Sequence, residues 1–219
     1  MIRLHHCAET RSMRTLWQLN EIGCEFEIQR YDFGKALRSD EFKAINPVSR
    51  VPALEIDGEV LIETGAIAEI LCEKFPEAGL GRPIGDPERN MFLQLIHFAE
   101  TISQHCAILT QQHVMLYEDH MRSPILTQLE PKRLAKTIGF IEERMAGDFL
   151  LSDFSAADIC VGQAIYMAQR FVRLDPFPRV ASWMARMTER PAFRASLPLE
   201  GEPRLYNQSF FEPIPSEGA

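Results

Sequence analysis

Side chains that can supply or stabilise a nucleophile are concentrated in residues 5–14, whose sequence is His-His-Cys-Ala-Glu-Thr-Arg-Ser-Met-Arg. Thr10 and Ser12 carry hydroxyls that can donate a hydrogen bond, and Cys7 carries a thiol. The segment follows a strand-like run and precedes a helical pattern, so these groups lie at a predicted helix N-terminus. A hydroxyl donor and a helix N-terminus both favour an anion such as a thiolate. The three side chains are therefore alternative candidates for thiol chemistry.

A second group of residues with binding potential lies further along the first half of the chain. Val51 precedes Pro52 and is therefore held extended. A cis bond here would turn the backbone N–H and C=O of Val51 outward, where an extended peptide can pair with them. An Asp-Gly turn at 57–58 between two apolar runs predicts a hairpin. Glu63 and Thr64 follow at a predicted helix start, where backbone N–H groups attract a carboxylate.

The elements that position these two groups follow from periodicity. Strand patterns occupy 2–6 and 25–30, and the hairpin runs match two further short strands. Helical patterns occupy 13–22, 39–45 and 65–74. The resulting order, βαβ–α–ββα, predicts an α/β thioredoxin-like domain over residues 1–76 with both parallel and antiparallel strand pairing.

The rest of the chain is predicted to be all-helical. Residues 77–86 are rich in Pro and Gly and form the predicted linker. An all-α domain over 87–200 then contains a long helix to about residue 117 and helices at 124–145, 159–169, 177–189 and 192–196. The sequence from 201 to 219 is a polar, proline-containing tail that is expected to fold back over the surface.

Composition excludes several classes of function. The net charge of -8 argues against nucleic acid as a partner. Five cysteines, widely spread and without CxxC or zinc spacing, are typical of reduced thiols in a cytosolic protein. No signal peptide is visible, and no apolar run approaches the roughly 20 residues of a membrane span. We therefore predict a cytoplasmic protein without nucleic-acid or membrane partners.

The proline loop, the hairpin turn and the Glu63-Thr64 pair, in this order, resemble the glutathione site of the glutathione transferase superfamily. In the second half, residues 154–159 (Phe-Ser-Ala-Ala-Asp-Ile) are similar to the family's buried capping motif, whose role is structural. The resemblance spans residues 2–200 and implies the glutathione transferase fold, with glutathione as co-substrate. It also implies which residues bind glutathione: Arg50 (at the glycine carboxylate), Val51, Pro52, Glu63 and Thr64.

The same resemblance ranks the candidates for thiol activation. Thr10 stands where serine-type bacterial members carry a serine and is preferred. Ser12, which lies further into the helix, is the second choice, with an N-terminal cap as its alternative role. Cys7 would imply thiol–disulfide or glutathionyl transfer. His5 occupies the region where tyrosine-type members carry their tyrosine, but His5 and His6 are expected to be strand residues, one facing in and one facing out.

The long helix supplies most of the predicted electrophile pocket, which is formed by Thr101, Gln104 and His105 and, later in the chain, by Phe171. Histidines at intervals of eight along this helix lack the i, i+4 spacing of metal ligands, so no metal is predicted. The resemblance implies a homodimer that conjugates the glutathione thiolate to a small hydrophobic electrophile, as in detoxification. Two alternatives stay open: a non-catalytic binding or regulatory module, and a glutathione-dependent disulfide reductase or peroxidase.

Overall fold

A four-stranded sheet forms the centre of the first half of the chain in the computed structural model, which describes residues 1–215. The strands are β1 (Ile2–His6), β2 (Glu27–Arg30), β3 (Ala53–Ile56) and β4 (Glu59–Leu61), in the order β2-β1-β3-β4. β1 pairs in parallel with β2 and antiparallel with β3, and β3 pairs antiparallel with β4. This mixed sheet is the one that the sequence predicts.

Three helices accompany the sheet: α1 (Ser12–Ile22), α2 (Asp40–Ile45) and α3 (Thr64–Lys74). The Val51–Pro52 bond is cis, and the hairpin turn has positive φ at Asp57 (53°) and Gly58 (85°), as a type I′ turn requires. Buried aliphatic residues of β1, α1, β3 and α3 pack into one cluster beneath the sheet. Both predicted binding segments are therefore carried on a packed framework.

The second half is helical. It contains α4 (Arg89–Thr110), α5 (Pro124–Arg144), α6 (Ala156–Ala168), α7 (Pro178–Glu189) and α8 (Pro191–Ala195). The predicted capping box at the start of α6 is present, with the Asp158 carboxylate accepting from the Ser155 backbone N–H at 3.0 Å. α6 is buried on almost every side, and the main hydrophobic core surrounds it. Together with the sheet, these helices confirm the predicted fold class.

One element differs from the sequence-based expectation. The long helix is α-helical only to Thr110, where a π-helical turn, Gln111–Met115, takes over. The first residues of the tail fold back over the protein as expected, and Phe211 packs against Phe171 with ring centroids 5.7 Å apart. Residues 216–219 of the predicted tail lie outside the described part of the chain.

The two halves meet along α1, α3 and α6. Trp17 of α1 is fully buried, and its ring meets Phe193 of α8 edge-on at 4.9 Å. Gly162 allows α6 to pack closely against Trp17, because a Cβ there would lie only 3.2 Å from the indole of Trp17. The close packing fixes the orientation of the loop after β1 relative to α4 and α6, and the candidate site lies between them.

Candidate functional site

A cavity of about 830 Å³ opens between the two halves of the chain. Its wall combines the loop after β1, residues 33–38, the loop before Pro52, one face of α4 with the π turn, α6 and the tail. Side chains or backbone from the two halves line it as follows: Glu9, Thr10, Arg11, Phe33, Gly34, Leu37, Arg38, Val48, Ser49, Arg50 and Val51, and Ser103, Cys106, Ala107, Ile108, Thr110, Gln111, Met115, Gln163, Met167, Leu205 and Tyr206.

Thr10 lies on the wall of this cavity, immediately before α1. Its hydroxyl donates to the backbone carbonyl of Cys7 at 2.8 Å and lies 2.9 Å from the Ser12 hydroxyl. The Ser12 backbone N–H points at the Thr10 Oγ1 from 3.3 Å. Thr10 thus lines the cavity, and its hydroxyl is held at the start of a helix, where an anion is favoured.

Ser12 lies behind Thr10 and does not line the cavity. Its side chain is 0% exposed. The Ser12 Oγ accepts from the Cys7 backbone N–H at 3.1 Å and lies 3.0 Å from the Cys7 carbonyl and 2.8 Å from the Nδ1 of His6. The structure therefore brings Thr10, and not Ser12, to the cavity wall. Ser12 instead stabilises the loop after β1 through its hydrogen bonds to the Cys7 backbone.

Cys7 is buried in a small apolar cluster with Leu37 and Phe42. Burial raises the pKa of the Cys7 thiol to about 12, and the carboxylates of Glu202, Asp32 and Glu9 contribute in the same direction. Such a thiol stays protonated at neutral pH, whereas catalytic cysteines have lowered pKa values. Cys7 therefore lacks the electrostatic environment of a nucleophile.

His5 and His6 both point into the protein, so the expectation that one of the two faces outward is wrong. His5 hydrogen-bonds to the Tyr31 hydroxyl at 2.8 Å and to the Glu55 carboxylate at 2.6 Å. His6 faces the opposite side of the sheet, toward Ser12. The alternation of a strand is preserved, but both sides are covered here by other parts of the chain.

The residues predicted to hold glutathione divide into two groups. Arg50 and Val51 line the cavity, and Pro52 follows them as a buried residue. Glu63 is exposed at the start of α3 with a φ of 72°, and Thr64 is buried. Neither Glu63 nor Thr64 lines the cavity, and their contact with glutathione stays a prediction.

Thr64 belongs to a charged network that joins the two halves. Its hydroxyl donates to the Glu100 carboxylate of α4 at 2.6 Å and accepts from the Arg14 guanidinium at 2.9 Å. Arg14 also contacts Glu100 directly, and Arg11 donates to the same carboxylate at 2.7 Å. Burial opposes ionisation of Glu100, but Arg14, Thr64 and Arg11 together lower its pKa to about 2. The carboxylate is therefore ionised at neutral pH.

The prediction of the electrophile pocket is wrong for α4, because a different face of this helix lines the cavity. Thr101, Gln104 and His105 do not line the cavity, which is instead lined by Ser103, Cys106, Ala107 and Thr110. Both sets have helical spacing, but a displacement of two residues rotates a side chain by about 200°, to the far side of the helix.

The environments of the four predicted residues agree with this correction. Thr101 and Gln104 are exposed, and His105 turns toward α5, where its Nδ1 lies 2.7 Å from the Glu130 carboxylate. Phe171 is buried in the core, stacked 6.0 Å from the ring of His113. None of these four side chains lines the cavity.

The tail supplies part of the cavity wall that sequence reasoning missed. Leu205 and Tyr206 line the cavity, and the Tyr206 hydroxyl lies 2.7 Å from the Thr110 hydroxyl. Glu9, which directly precedes Thr10, holds this part of the tail: its carboxylate accepts from the backbone N–H groups of Leu205 at 2.7 Å and Tyr206 at 3.0 Å. Arg170 pairs with the same carboxylate at 3.1 Å. The only sequence signal for this arrangement is the presence of aromatic residues in an otherwise polar tail.

Within residues 1–215, no group of three or more His, Cys, Asp or Glu side chains is arranged to hold a metal ion. The same part of the chain contains no helix that is both long enough and apolar enough to cross a membrane.

Comparisons with known proteins agree with the observed fold and identify proteins to which the chain is similar. Residues 1–72 match the family described as glutathione S-transferase, N-terminal domain. The crystal structure of a glutathione transferase from Methylococcus capsulatus is 27% identical and superimposes with a TM-score of 0.78, covering 90% of this chain and 97% of that one. A glutathione transferase homologue from Sulfitobacter with bound glutathione is 23% identical, with a TM-score of 0.77 and coverage of 89% and 96%.

A curated relative carries the assignment to a family. The maleylacetoacetate isomerase of Dictyostelium discoideum is 30% identical over 172 residues, which cover 75% of this chain and 77% of the relative. Its similarity extends well beyond the segment matched by the N-terminal family. The chain belongs to the glutathione S-transferase superfamily.

Proposed function

We propose that the protein is a glutathione-dependent enzyme that ionises the thiol of bound glutathione at Thr10 and transfers the thiolate to a small hydrophobic electrophile. The observation that carries the proposal is Thr10, whose hydroxyl is held at the start of α1 and which lines a cavity that α4, α6 and the tail also line. A free thiol has a pKa of roughly 8.5, so little of it is ionised at neutral pH. A hydroxyl donor and the N-terminus of α1 both favour the thiolate.

The thiol half of the cavity, where glutathione binds in this proposal, takes its binding groups from the first half of the chain. Val51 follows Arg50 in the loop whose cis bond is the family's peptide-pairing feature, and Arg50 supplies a cation for a carboxylate of the ligand. Glu63 and Thr64 at the start of α3 complete the proposed set. The glutathione bound in the Sulfitobacter homologue supports this ligand. The proposed division places glutathione on domain 1–76 and the electrophile against domain 87–200, with 77–86 as linker.

A second candidate reaction is glutathione-dependent isomerisation of an unsaturated acid. The Dictyostelium relative is named an isomerase of maleylacetoacetate, and Arg11, Arg38 and Arg50 line the cavity, where they can attract an anionic substrate. In such a reaction the thiolate adds to an activated carbon–carbon double bond, the former double bond rotates, and the thiolate leaves again. Glutathione is regenerated, so the two candidates differ in stoichiometry.

The remaining alternatives have less support. A disulfide reductase or peroxidase that acts through Cys7 conflicts with the burial and raised pKa of that thiol. A non-catalytic binding module retains the cavity but needs no thiolate. Isothermal titration calorimetry with glutathione is followed by turnover with a halo-aromatic compound, a cis-unsaturated keto acid, hydroxyethyl disulfide and cumene hydroperoxide, and together these measurements separate all four. Conjugation consumes one glutathione per product, isomerisation consumes none, and absence of binding at millimolar concentration contradicts the proposal.

We also propose a cytoplasmic homodimer, on the basis of family membership. All five cysteines are free, which suits a reducing compartment. The apolar residues Phe92 and Ile96 of α4 are buried inside this chain and offer no partner surface, so the dimer rests on the family alone. Light scattering should give twice the chain mass of 25.0 kDa. A mass of one chain would contradict the dimer.

A further inference from the structure

His6, the last residue of β1, is a buried polar group that the proposed function does not use. Its side chain is 1% exposed, and its Nδ1 lies 2.8 Å from the Ser12 Oγ. Its second ring nitrogen, Nε2, is buried without a hydrogen-bond partner in the described part of the chain. A buried polar atom without a partner is uncommon in folded proteins, so the arrangement calls for a physical reason.

His6 is the first of three groups that lead to the cavity. Ser12, which is fully buried, lies 2.8 Å from His6 on one side and 2.9 Å from the Thr10 hydroxyl on the other. Thr10 lines the cavity. A continuous line of hydrogen-bonding groups therefore runs from the interior of the sheet to the surface on which we place the glutathione sulfur.

The direction of these hydrogen bonds follows from counting donors and acceptors. A serine hydroxyl has one hydrogen and two lone pairs. If His6 carries its hydrogen on Nδ1, the two lone pairs of Ser12 are filled by His6 and by the Cys7 backbone N–H. The single hydrogen of Ser12 then goes to the Thr10 Oγ1 or to the Cys7 carbonyl, which lies 3.0 Å away. In either case Thr10 does not donate to Ser12, and its own hydrogen goes to the Cys7 carbonyl at 2.8 Å, from which a sulfur in the cavity has to attract it.

The opposite tautomer is less favourable on two counts. It would bury an Nε2–H donor without an acceptor, and orphaned buried N–H groups are rarer than under-satisfied acceptors. It would also make Ser12 donate to His6, so that a lone pair of Ser12 would draw the Thr10 hydrogen inward, away from the cavity. The surroundings of His6 thus favour the tautomer in which Ser12 does not compete for the Thr10 hydrogen.

We propose that His6 is a positioning residue for thiol activation, which acts through Ser12 to polarise the Thr10 hydroxyl, so that its hydrogen turns from the Cys7 carbonyl to a sulfur in the cavity. The inference rests on the proposed function, because it assumes that a glutathione thiolate forms at Thr10. His6 itself does not touch the ligand. Its contribution is the polarisation that a chain of hydrogen bonds passes from one member to the next.

The electrostatic environment keeps His6 in the required neutral form. Burial lowers the pKa of His6 to about 4, and the nearby guanidinium of Arg30 acts in the same direction. The Glu202 carboxylate and the Ser12 contact oppose this change only in part. His6 therefore stays neutral throughout the pH range in which a glutathione thiol is activated.

The test compares substitutions of two buried histidines on the same strand. His6→Phe removes the donor, and His6→Asn restores an N–H donor at nearly the position of Nδ1. His5→Phe is the matched control, because His5 is 2% exposed but bonds to Tyr31 and Glu55 and not to Ser12. The thiol pKa of bound glutathione is read from the ultraviolet absorbance of the thiolate as a function of pH, and kcat and the KM for glutathione are measured alongside it.

His6→Phe should raise the pKa of the bound thiol by about half a unit and lower kcat at acidic pH about three-fold, with the KM for glutathione unchanged. His6→Asn should restore most of the difference, and His5→Phe should leave the thiol pKa unchanged. An unchanged thiol pKa in a folded His6→Phe variant overturns the inference. An equal shift in His5→Phe also overturns it, because disturbance of the strand would then be sufficient.

A second substitution and a measurement on the wild type distinguish the remaining outcomes. If His6→Phe does not fold, Ser12→Ala interrupts the line at its middle member and should produce a shift of the same sign; no shift contradicts the role of His6. If the wild-type protein binds glutathione without forming a thiolate, the proposed function and the role of His6 both fail. A wild-type thiolate that is insensitive to both substitutions removes only the role of His6.

Discussion

The cavity has a thiol half, where we propose that glutathione binds, and an electrophile half, and the two are built in different ways. The thiol half comes from two loops of the first half of the chain, each anchored by strands of one sheet, and its polar groups are satisfied by near neighbours such as Cys7, Thr10 and Ser12. The electrophile half combines the end of α4, the π turn, α6 and the tail, which are far apart in sequence. In the proposed function, the chemistry is therefore placed on a local framework, whereas substrate selection depends on segments whose arrangement requires the whole fold.

Arg14 joins the two halves of the chain, so replacing it should give the largest loss of stability. Its side chain is 1% exposed and bonds to Thr64 of α3, Glu100 and Ser103 of α4 and Gln163 of α6. Arg14→Leu leaves the Glu100 carboxylate without its buried partner and should lower the free energy of unfolding by about 3 to 5 kcal/mol. Urea denaturation measures the change.

Arg11 provides the control for this prediction, since it pairs with the same carboxylate but its side chain is 38% exposed. Arg11→Leu should lower the free energy of unfolding by only about 0 to 1 kcal/mol. Equal effects of the two substitutions would show that burial does not distinguish the two arginines, and would contradict the role given to Arg14.

The contrast between the halves also explains what the sequence could and could not predict. The proline loop, the Asp-Gly turn and the helix start after β4 are local signals, and the structure contains each of them in the expected order. The cavity face of α4 was predicted at Thr101, Gln104 and His105, because two stripes of that helix have equivalent spacing and only the packing partners choose between them. The tail has no periodicity, so nothing predicted that Tyr206 would reach the cavity.

The pH dependence of stability tests the buried framework of the thiol half. The pKa of His6 is about 4 in the folded chain against an ordinary value of 6.5, so the unfolded chain binds a proton more readily. Stability should therefore fall as the pH drops from 6.5 toward 4, by about 2 to 3 kcal/mol at about pH 4.5. Glu100, whose pKa is lowered to about 2, loses its contribution at lower pH, as the carboxylate becomes protonated.

Urea denaturation at neutral and acidic pH, on the wild type and on His6→Phe, measures this dependence. The variant should lose the part of the slope that is due to His6. The lowered pKa of His113 leaves a residual dependence of the same sign in both proteins. An identical slope in the two proteins would show that His6 accepts a proton in the folded state without cost.

A substitution at Glu9 should weaken the electrophile half and spare the thiol half. Glu9→Gln keeps the shape but replaces a charged acceptor of the Leu205 and Tyr206 N–H groups by a neutral one, which costs about 1 to 2 kcal/mol. Hydrogen exchange at these two amides should become faster, and the KM for the electrophile should rise while the glutathione thiol pKa stays unchanged.

Glu212→Gln is the matched control for Glu9→Gln, since Glu212 is an exposed tail carboxylate, 3.5 Å from Arg173. It should change neither the exchange rates nor the KM. A shift of the thiol pKa in Glu9→Gln would mean that the two halves of the cavity are coupled through the loop that carries Glu9 and Thr10.

The most direct test of the account is the thiol pKa of glutathione bound to the wild type, Thr10→Ala and Thr10→Ser, measured from the ultraviolet absorbance of the thiolate. Loss of one hydrogen bond to a charged group should raise that pKa by about one to two units in Thr10→Ala and slow turnover at acidic pH about ten- to a hundred-fold. Thr10→Ser should retain most of the wild-type thiolate, and the affinity for glutathione should stay nearly constant in all three. A thiolate that forms as readily in Thr10→Ala as in the wild type would contradict the assignment of Thr10.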